Sequence, residues 1–227
     1  MVVDVLSFTT TLSVALAVGS TVLPYRWNDE TAAAYAQEHD AVLAVGRSDA
    51  GPGQISLSPG TLRATPAPTR VVLPSPNGST IAHHLGTAAA VCLGASLRNA
   101  TAVADWVASR CDPDAASVAI VAAGEQWPGG GLRPAVEDLW GAGSVVDRLL
   151  RLGWATLSPE AIAARAAWQA AADHMLDALL GCASGRELTD KGYRADVQIA
   201  AEVDSSHSIP LLRDQTFGPA APDQLLW

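Results

Sequence analysis

Short apolar runs and longer alanine-rich or amphipathic runs alternate along most of this 227-residue chain. The apolar runs are rich in Val, Ile and Leu and are short enough to predict buried strands. They cover residues 2–6, 20–25, 41–46, 70–75, 89–94 and 117–124. The runs between them predict helices, because they begin near Ser, Thr, Asn or Asp and several end at Gly. They cover residues 7–19, 28–39 (capped by Asn28 or Asp29), 77–86, 97–110 and 133–152.

This alternation predicts an α/β fold with helices on both faces of a largely parallel or mixed sheet. The expected architecture is three-layer α/β/α, and we interpret residues 1–227 as a single domain. The chain opens directly on strand residues, which is consistent with a natural N-terminal segment that precedes Met1.

The remaining segments are less regular. Residues 47–69 are rich in Pro and Gly and predict a long loop, and loops of that length are usually functional or mobile. Further helices are predicted at 158–181, 184–192 and 194–204. Residues 208–217 predict an edge strand, because Pro210 cannot donate a hydrogen bond to a ladder.

Composition and charge exclude several classes of protein. The net charge is −9 and Lys191 is the single lysine, which argues against a nucleic-acid-binding surface. No apolar run reaches the roughly 18 residues that a membrane-spanning helix needs, and the first residues lack the basic start of a signal peptide. Cys92, Cys111 and Cys182 are odd in number and far apart, which indicates free thiols. We therefore expect a cytoplasmic protein that binds neither nucleic acid nor membrane.

Polar side chains gather where predicted strands lead into helices. Asp4 lies within the first strand, Glu125 follows the most strand-like run, and Glu137 and Asp138 open the next helix. Because the carboxyl ends of parallel strands meet at one edge of a sheet, we expect these side chains to share a cleft. The hydroxyl, amide and glycine members of the set are Ser7, Thr9, Thr10, Asn77, Gly78, Ser79 and Asn99.

The chemistry of this set suits a phosphate group and a divalent cation. Helix N-termini bind phosphoryl oxygens through backbone N–H groups, and nearby hydroxyls can assist. Carboxylates such as Asp4, Glu137 and Asp138 suit Mg²⁺, which takes one or two protein carboxylates and keeps waters. Plainer explanations fit most of the set, since Ser and Thr cap helices and acids complement the helix dipole. Asp4 is the exception, because a carboxylate in a buried apolar strand is costly unless it is paired or metal-bound.

Seven segments form an ordered series over nearly the whole chain, and no single one is specific. They are VVDVLSFTTTLSVALAVG (2–19), SLSP (56–59), PSPNGST (74–80), LGASLRNATAVA (93–104), VAIVAAGE (118–125), EDLWGAG (137–143) and SGRELTDKGYRADVQIAAEVD (184–204). Together they resemble the 2-phosphosulfolactate phosphatase family.

The resemblance implies a Mg²⁺-dependent acid phosphatase that hydrolyses 2-phospho-3-sulfolactate to sulfolactate and phosphate. It also implies a layered α/β fold and a homodimer. The polar positions that the resemblance carries over to this chain, with Glu137 at a position that is acidic in relatives, are Asp4, Thr10, Asn77, Gly78, Asn99, Glu137 and Asp138.

The chain departs from the family pattern in three places. Relatives typically have Arg where this chain has Ser7, Asn-Ser-Pro at residues 57–59 and His-Gly at residues 184–185. Loss of an Arg removes a bidentate partner for an anion, which puts the sulfonate-bearing substrate in question. Possible replacements, with Arg133 and Arg186 the best placed, are Arg26, Arg47, Arg98, Arg133 and Arg186.

Three hypotheses follow. The first is a Mg²⁺-dependent phosphomonoesterase in which Asp4, Glu137 and Asp138 are catalytic and hold the metal, and attack comes from a metal-activated water or from Asp4 through a phospho-enzyme. The second is a catalytically silent protein that binds a small anion on the same fold. The third is an interaction protein whose Trp127 and Trp140 face a partner. The enzyme hypothesis requires Asp4 to lie on the same side of the molecule as the Glu137–Asp138 pair.

Overall fold

The computed structural model describes residues 1–26, 30–64 and 66–221. The predicted cap of the second helix, Asn28 or Asp29, lies outside these residues. The strands within them are β1 Val2–Val3, β2 Thr21–Tyr25, β3 Val42–Leu43, β4 Arg70–Pro74, β5 Cys92–Ala95, β6 Val121–Ala122, β7 Glu125–Gln126, β8 Leu132–Arg133, β9 Pro210–Arg213 and β10 Thr216–Pro219. Eight of these described strands form one sheet in the order β3-β4-β2-β10-β9-β5-β1-β6, and β7 pairs with β8 in a separate hairpin.

Two groups of parallel strands form the flanks of the large sheet. Strands β3, β4 and β2 run parallel to one another, and so do β5, β1 and β6. Strands β10 and β9 lie between the groups, and each of the three pairings from β2 to β5 is antiparallel. The two parallel groups therefore run in opposite senses, and the sheet is mixed.

The central hairpin corrects the edge strand predicted at residues 208–217. The chain turns at Asp214 and Gln215, whose φ angles of 44° and 61° are left-handed, as in a two-residue type I′ turn. Pro210 is the first residue of β9, a position where a strand tolerates a missing N–H. The prediction was wrong because proline excludes a residue from the middle of an interior strand but not from its start.

The helices of the described residues are α1 Phe8–Ala17, α2 Glu30–Glu38, α3 Pro59–Ala64, α4 Gly78–Ala88, α5 Ala100–Ala108, α6 Val136–Arg151, α7 Pro159–Ala171, α8 Met175–Gly181, α9 Ala183–Asp190 and α10 Arg194–Ala200. The single helix predicted at 158–181 is wrong, since a 3₁₀ turn at Ala172–His174 separates α7 from α8. The turn contains neither Gly nor Pro, so the usual signals of a break are missing from the sequence. The break allows Met175 and Leu179 to pack into the core.

Two other predicted segments differ from the structure. Residues 47–69 are not a continuous loop, because they contain a 3₁₀ turn at Arg47–Asp49 and helix α3. Within the strand predicted at 117–124, only β6 pairs, and it lies at the edge of the sheet. Its neighbours alternate between half-buried and exposed, as on an edge strand with one face in water.

Helices cover both faces of the sheet. Helices α1, α3 and α4 pack over one face around Val2 and Phe8, and α5, α6 and α8 pack over the other around Val3. Helix α2 covers β2 and β4 at Leu23 and Val72. These layers confirm the predicted three-layer α/β/α architecture. In the part of the chain that the structure describes, no helix is long and apolar enough to cross a membrane.

Two glycines bring helix α6 close to its neighbours. A Cβ on Gly141 would lie 2.7 Å from the side chains of both Val3 and Val5, and a Cβ on Gly143 would lie 2.0 Å from the backbone oxygen of Ala164 in α7. Both approaches require glycine. They place the first turn of α6 against the end of β1.

Candidate active site

Asp4 connects the end of β1 to the start of two helices. Its Oδ1 accepts a hydrogen bond from Phe8 N at the start of α1, and its Oδ2 accepts one from Gly78 N at the start of α4, both at 3.0 Å. A Cβ on Gly78 would lie 2.6 Å from Asp4 Oδ2, so this approach requires glycine. Asp4 is only 5% exposed. The carboxylate therefore lies where the positive ends of two helix dipoles meet.

Asp138 and Glu137 lie on the same side of the molecule as Asp4. Asp138 accepts hydrogen bonds from Val5 N (2.7 Å) and Gly124 N (2.8 Å), which join α6 to the turns after β1 and β6. Both acids are buried. Val5 is the neighbour of Asp4 in the chain. Asp4 and Asp138, although far apart in sequence, therefore share one site. The geometry that the enzyme hypothesis requires is present.

Glu125 completes the acidic cluster. Its Oε2 accepts a hydrogen bond from Asn77 Nδ2 at 2.9 Å, and Asn77 directly precedes the Gly78 that binds Asp4. The turn before α4 is therefore bonded to two carboxylates from distant parts of the chain. We define the acidic cluster as Asp4, Glu125, Glu137 and Asp138.

Burial and mutual repulsion change the acidity of the cluster. Burial is the main cause that raises the pKa of Asp4 to about 6, although hydrogen bonds from Phe8 and Gly78 and the charge of Arg47 oppose it. Burial, followed by the charge of Asp4, raises the pKa of Glu125 to about 7. The same two causes raise the pKa of Asp138 well above its ordinary value. Buried like charges of this kind are costly, and such clusters are typical of functional sites.

Three of the predicted phosphate-binding hydroxyls donate to backbone carbonyls. Thr9 Oγ1 donates to Asp4 O (2.7 Å) and accepts from Asp4 N (2.9 Å), and Thr10 Oγ1 donates to Val5 O (2.7 Å). Ser79 Oγ donates to the carbonyl oxygen of residue 73 at 3.0 Å. In this arrangement the hydroxyls hold the turns that carry Asp4 and Gly78.

Asn99 lies apart from the acidic cluster in its bonding. Its Oδ1 accepts hydrogen bonds from Ser96 N (2.8 Å) and Ser96 Oγ (3.0 Å), and its Nδ2 donates to Ser208 O (3.1 Å). These bonds join the turn after β5 to the start of the central hairpin. No hydrogen bond connects Asn99 to the four acids.

The positions of the arginines do not follow the ranking made from the sequence, in which Arg133 and Arg186 came first. Arg186 is exposed and donates to the carbonyl oxygen of residue 181. Arg133 pairs with Glu187 at 2.7 Å, and its charge lowers the pKa of Glu125. The guanidinium beside Ser7 is that of Arg47, which donates from Nη2 to Ser7 Oγ. A guanidinium therefore lies beside Ser7, and it is contributed by a residue 40 positions away in the chain.

Arg47 is anchored by a buried acid. Its Nε donates to Asp196 Oδ2 at 3.1 Å, and Asp196 also accepts a hydrogen bond from Ser58 Oγ. Asp196 is buried, whereas the Arg47 side chain retains 17% exposure. The guanidinium is thus held in place with part of its surface free to meet a ligand.

Two cavities flank the segment that leads into α4. One, of about 360 Å³, is lined by Asn77, Glu125 and the turn between β7 and β8. The other, of about 730 Å³, is lined by Arg47 and by residues that follow β2, β3 and β4. Pro76 lines both. The carboxyl ends of these parallel strands are where open α/β folds ordinarily bind ligands.

The acidic cluster fits a hard divalent cation that is held by one or two of its carboxylates. The charges of Arg47 and Arg133 only partly offset the burial and mutual repulsion of these carboxylates, and carboxylate oxygens are the ligands that Mg²⁺ prefers. Among the described residues, no three His, Cys, Asp or Glu side chains converge closely enough to hold a metal ion. The arrangement therefore fits an ion held by one or two of the carboxylates, with waters and substrate oxygens as its other ligands, which is the usual form of a Mg²⁺ site.

Comparison with known proteins identifies the class of this site. The family model described as 2-phosphosulpholactate phosphatase matches residues 1–215. The chain is 34% identical over 216 residues to a "Probable 2-phosphosulfolactate phosphatase" of Thermus thermophilus, with 94% of this chain and 87% of that protein covered. It is 30% identical over 220 residues to a protein of the same description from Deinococcus radiodurans, with 93% and 86% covered.

The chain, with its layered α/β fold, is thus a phosphatase, an enzyme that hydrolyses a phosphate ester. More particularly, the chain belongs to the 2-phosphosulpholactate phosphatase family. The resemblance seen in the seven sequence segments is confirmed.

Family membership favours the enzyme hypothesis over the other two. Trp127 is 55% exposed, and the Cζ atom of Arg133 lies 5.7 Å from the centroid of its ring. Trp140, by contrast, packs against the core. The interaction hypothesis needs both tryptophans on one exposed face, and they do not form such a face.

Sequence reasoning underrated two residues of the site. Glu125 was not among the candidate catalytic residues, because it follows the strongest predicted strand and does not lie within it, as Asp4 does. Arg47 was ranked below Arg133 and Arg186, because nothing local in the sequence shows that the turn at 47–49 folds over Ser7.

Proposed function

We propose that this protein hydrolyses 2-phospho-3-sulfolactate, or a closely similar acidic phosphate monoester, to the 2-hydroxy acid and phosphate in a Mg²⁺-dependent reaction. The observation that carries the proposal is the convergence of Asp4, Asp138 and the start of α4 at one buried point. The family and the descriptions of its two relatives support the substrate.

Mg²⁺, when bound, would supply positive charge to the acids and to the phosphoryl oxygens. Asp4 and Asp138 are the carboxylates best placed to hold it, and the charge of buried Glu137 acts on both of them. Each carboxylate oxygen of Asp4 and Asp138 already accepts one backbone hydrogen bond, so their orientation is established before any ligand arrives. This preorganisation is what electrostatic catalysis of phosphoryl transfer requires.

The chain's own groups would orient the phosphate ester. Asn77, which donates to Glu125, and the N-terminus of α4 lie beside Asp4, and Arg47 presents a guanidinium at Ser7. Attack on phosphorus by water or by the Asp4 carboxylate is compatible with this arrangement. In an Asp4 attack, the P–O ester bond would break, the 2-hydroxy acid would leave after taking up a proton, and an acyl phosphate would form on Asp4. Water would then hydrolyse the acyl phosphate to give free Asp4 and phosphate.

The test is phosphate release from 2-phospho-3-sulfolactate with Mg²⁺ or with EDTA, in wild type and in Asp4→Asn and Asp138→Asn. We expect kcat to fall at least about a hundredfold in each variant, as for loss of a group acting in the transition state. Thr101→Val is the control, because its hydroxyl bonds exposed Asp204 outside the cluster. Unchanged turnover in both Asn variants would remove these acids from the mechanism.

The protein could instead bind the anion without hydrolysis, since Ser7 and Ser184 depart from the family pattern. Stabilisation by Mg²⁺ with sulfolactate, without phosphate release from any ester, would establish that function. We also propose that the enzyme is a homodimer and acts in the cytoplasm. Its three free thiols support a reducing compartment, and the family resemblance supports the dimer.

A further inference from the structure

The larger cavity has an unusual charge for this protein. The chain carries a net charge of −9, yet Arg26, Arg47 and Lys191 line this cavity, and no Asp or Glu among the described residues does. The smaller cavity on the other side of Pro76 is lined by Glu125 and, within the part of the chain that the structure describes, by no cation. The two sides of the turn into α4 therefore differ in the sign of their charge.

The larger cavity also adjoins the acidic cluster. Arg47 lines the cavity, bonds Ser7 and lies close enough to Asp4 to lower the pKa of that carboxyl. Its Nε and Nη2 are used by Asp196 and Ser7, and its Nη1 bonds no other residue in the described parts of the chain. The remaining donor is available to a ligand in the cavity.

Lys191 is a second available cation. It follows α9, is exposed, and forms no ion pair with any residue in the described ranges. Apolar side chains, among them Leu57 and Leu188, line the same cavity. An anion that enters it would therefore meet fixed positive charge in a partly apolar setting, where charge-assisted hydrogen bonds are strong.

We propose that this cavity binds the second acidic end of the substrate, the carboxylate or sulfonate that is not hydrolysed, and that Lys191 with Arg47 selects esters that carry it. The inference rests on the proposed function, because it places the phosphoryl group at the acidic cluster. It assigns to Lys191 a specificity-determining role.

The experiment measures kcat/KM for three matched esters with none, one and two additional acidic groups. They are isopropyl phosphate, 2-phospholactate and 2-phospho-3-sulfolactate. The variants are Lys191→Met and, as the matched control, Arg194→Met, which removes the same charge from an exposed residue that does not line the cavity. We expect Lys191→Met to reduce the preference for the doubly acidic ester over isopropyl phosphate about tenfold, and Arg194→Met to keep the preference.

Two results would overturn the inference. One is an equal fall in kcat/KM for all three esters, and the other is an unchanged preference in Lys191→Met. A lower Tm with an unchanged preference would show that Lys191 only complements the C-terminus of α9.

Failure of the proposed function is a separate result. If wild type hydrolyses none of the esters, calorimetric titration with sulfolactate still tests the cavity. Binding that Lys191→Met weakens about tenfold and Arg194→Met does not would support the inference. No binding by wild type, or equal binding by all three proteins, would overturn it.

Discussion

Asp4 illustrates how a single residue can indicate a site. A carboxylate in an apolar strand is costly unless something compensates it, and in the structure two helix N-termini do so through Phe8 N and Gly78 N. Glu125 follows its predicted strand and does not lie within it, so the same reasoning does not identify Glu125. Likewise, nothing in the sequence shows whether the hydroxyls of Thr9 and Thr10 face a ligand or the backbone, because that depends on local geometry after folding.

Glu125 gives a prediction for stability against pH. Its pKa is raised to about 7 in the folded protein, so the folded state binds more protons than the unfolded state between about pH 4.5 and pH 7. The contribution of Glu125 to the free energy of unfolding is therefore full below about pH 4.5 and falls as the pH rises to 7. Because the group is partly exposed, we expect a loss on the order of 1 kcal/mol.

The measurement is urea denaturation without divalent ions at pH 5 and pH 8. Glu125→Gln does not titrate, so its free energy of unfolding should decrease less than that of wild type between these pH values. An exposed acid such as Asp112→Asn serves as the control. An equal decrease in wild type and Glu125→Gln would contradict the assignment.

Gly78 gives a prediction that links one atom to activity. In Gly78→Ala the added Cβ would meet Asp4 Oδ2 at 2.6 Å and the Phe8 ring at 2.5 Å. We expect a loss of about 1–3 kcal/mol in stability together with loss of kcat, because Asp4 must move. Gly181→Ala, which meets nothing within 4 Å, should keep both, as measured by denaturation and phosphate release.

At the scale of elements, helix α6 is positioned by small residues rather than by its polar face. Gly141 and Gly143 allow it to approach β1 and α7, and this approach carries Glu137 and Asp138 to Asp4. The sequence predicted the helix and its acids. It did not predict the approach, because glycine within a helix is equally consistent with a weak helix position.

Substitution of Gly143 should therefore destabilise the protein. The Cβ of Gly143→Ala would lie 2.0 Å from Ala164 O, and backbone atoms cannot yield without displacement of α7. We expect a decrease of about 2–3 kcal/mol in the free energy of unfolding. Chemical denaturation of Gly143→Ala beside Gly181→Ala is the check, and equal stability of the two variants would show that the helices separate at little cost.

The other element-scale differences have a common cause. The break between α7 and α8 and the interior position of β9 both depend on what these segments pack against. Local signals predict where an element begins. Met175, however, is buried through contacts with core residues that are distant in sequence. A prediction from sequence has no access to that partner.

For the whole molecule, the acidic cluster predicts a coupling between Mg²⁺ and stability. At pH 8, above the pKa of Asp4 (about 6) and of Glu125 (about 7), these two acids are charged and repel each other, so Mg²⁺ should raise Tm. At pH 5 protons compete with the ion and the rise should be smaller. Thermal unfolding of wild type and Asp138→Asn, with Mg²⁺ or the same ionic strength of NaCl, tests this. A rise of equal size in both proteins would place the ion elsewhere.

The proposed dimer is a second prediction at this scale. Light scattering after size exclusion should give twice the chain mass of 23.4 kDa. A mass equal to that of one chain across micromolar concentrations would show that the protein is a monomer.

The order of apolar and polar residues determined the layered α/β architecture and the presence of a buried acid at residue 4. Both depend on the spacing of apolar residues within short segments, which can be read directly from the sequence. Only the tertiary structure decided which ends meet. We had expected one edge of a parallel sheet to collect the polar turns, but β1 and β4 belong to groups of opposite sense. Neighbouring strands twist by about 20–25°, and this twist accumulates over the five steps from β4 to β1. Despite the opposite sense of the two groups, Gly78 N donates a hydrogen bond to Asp4 Oδ2. Pairing partner and strand sense depend on residues far apart in the chain, so no local pattern could specify them.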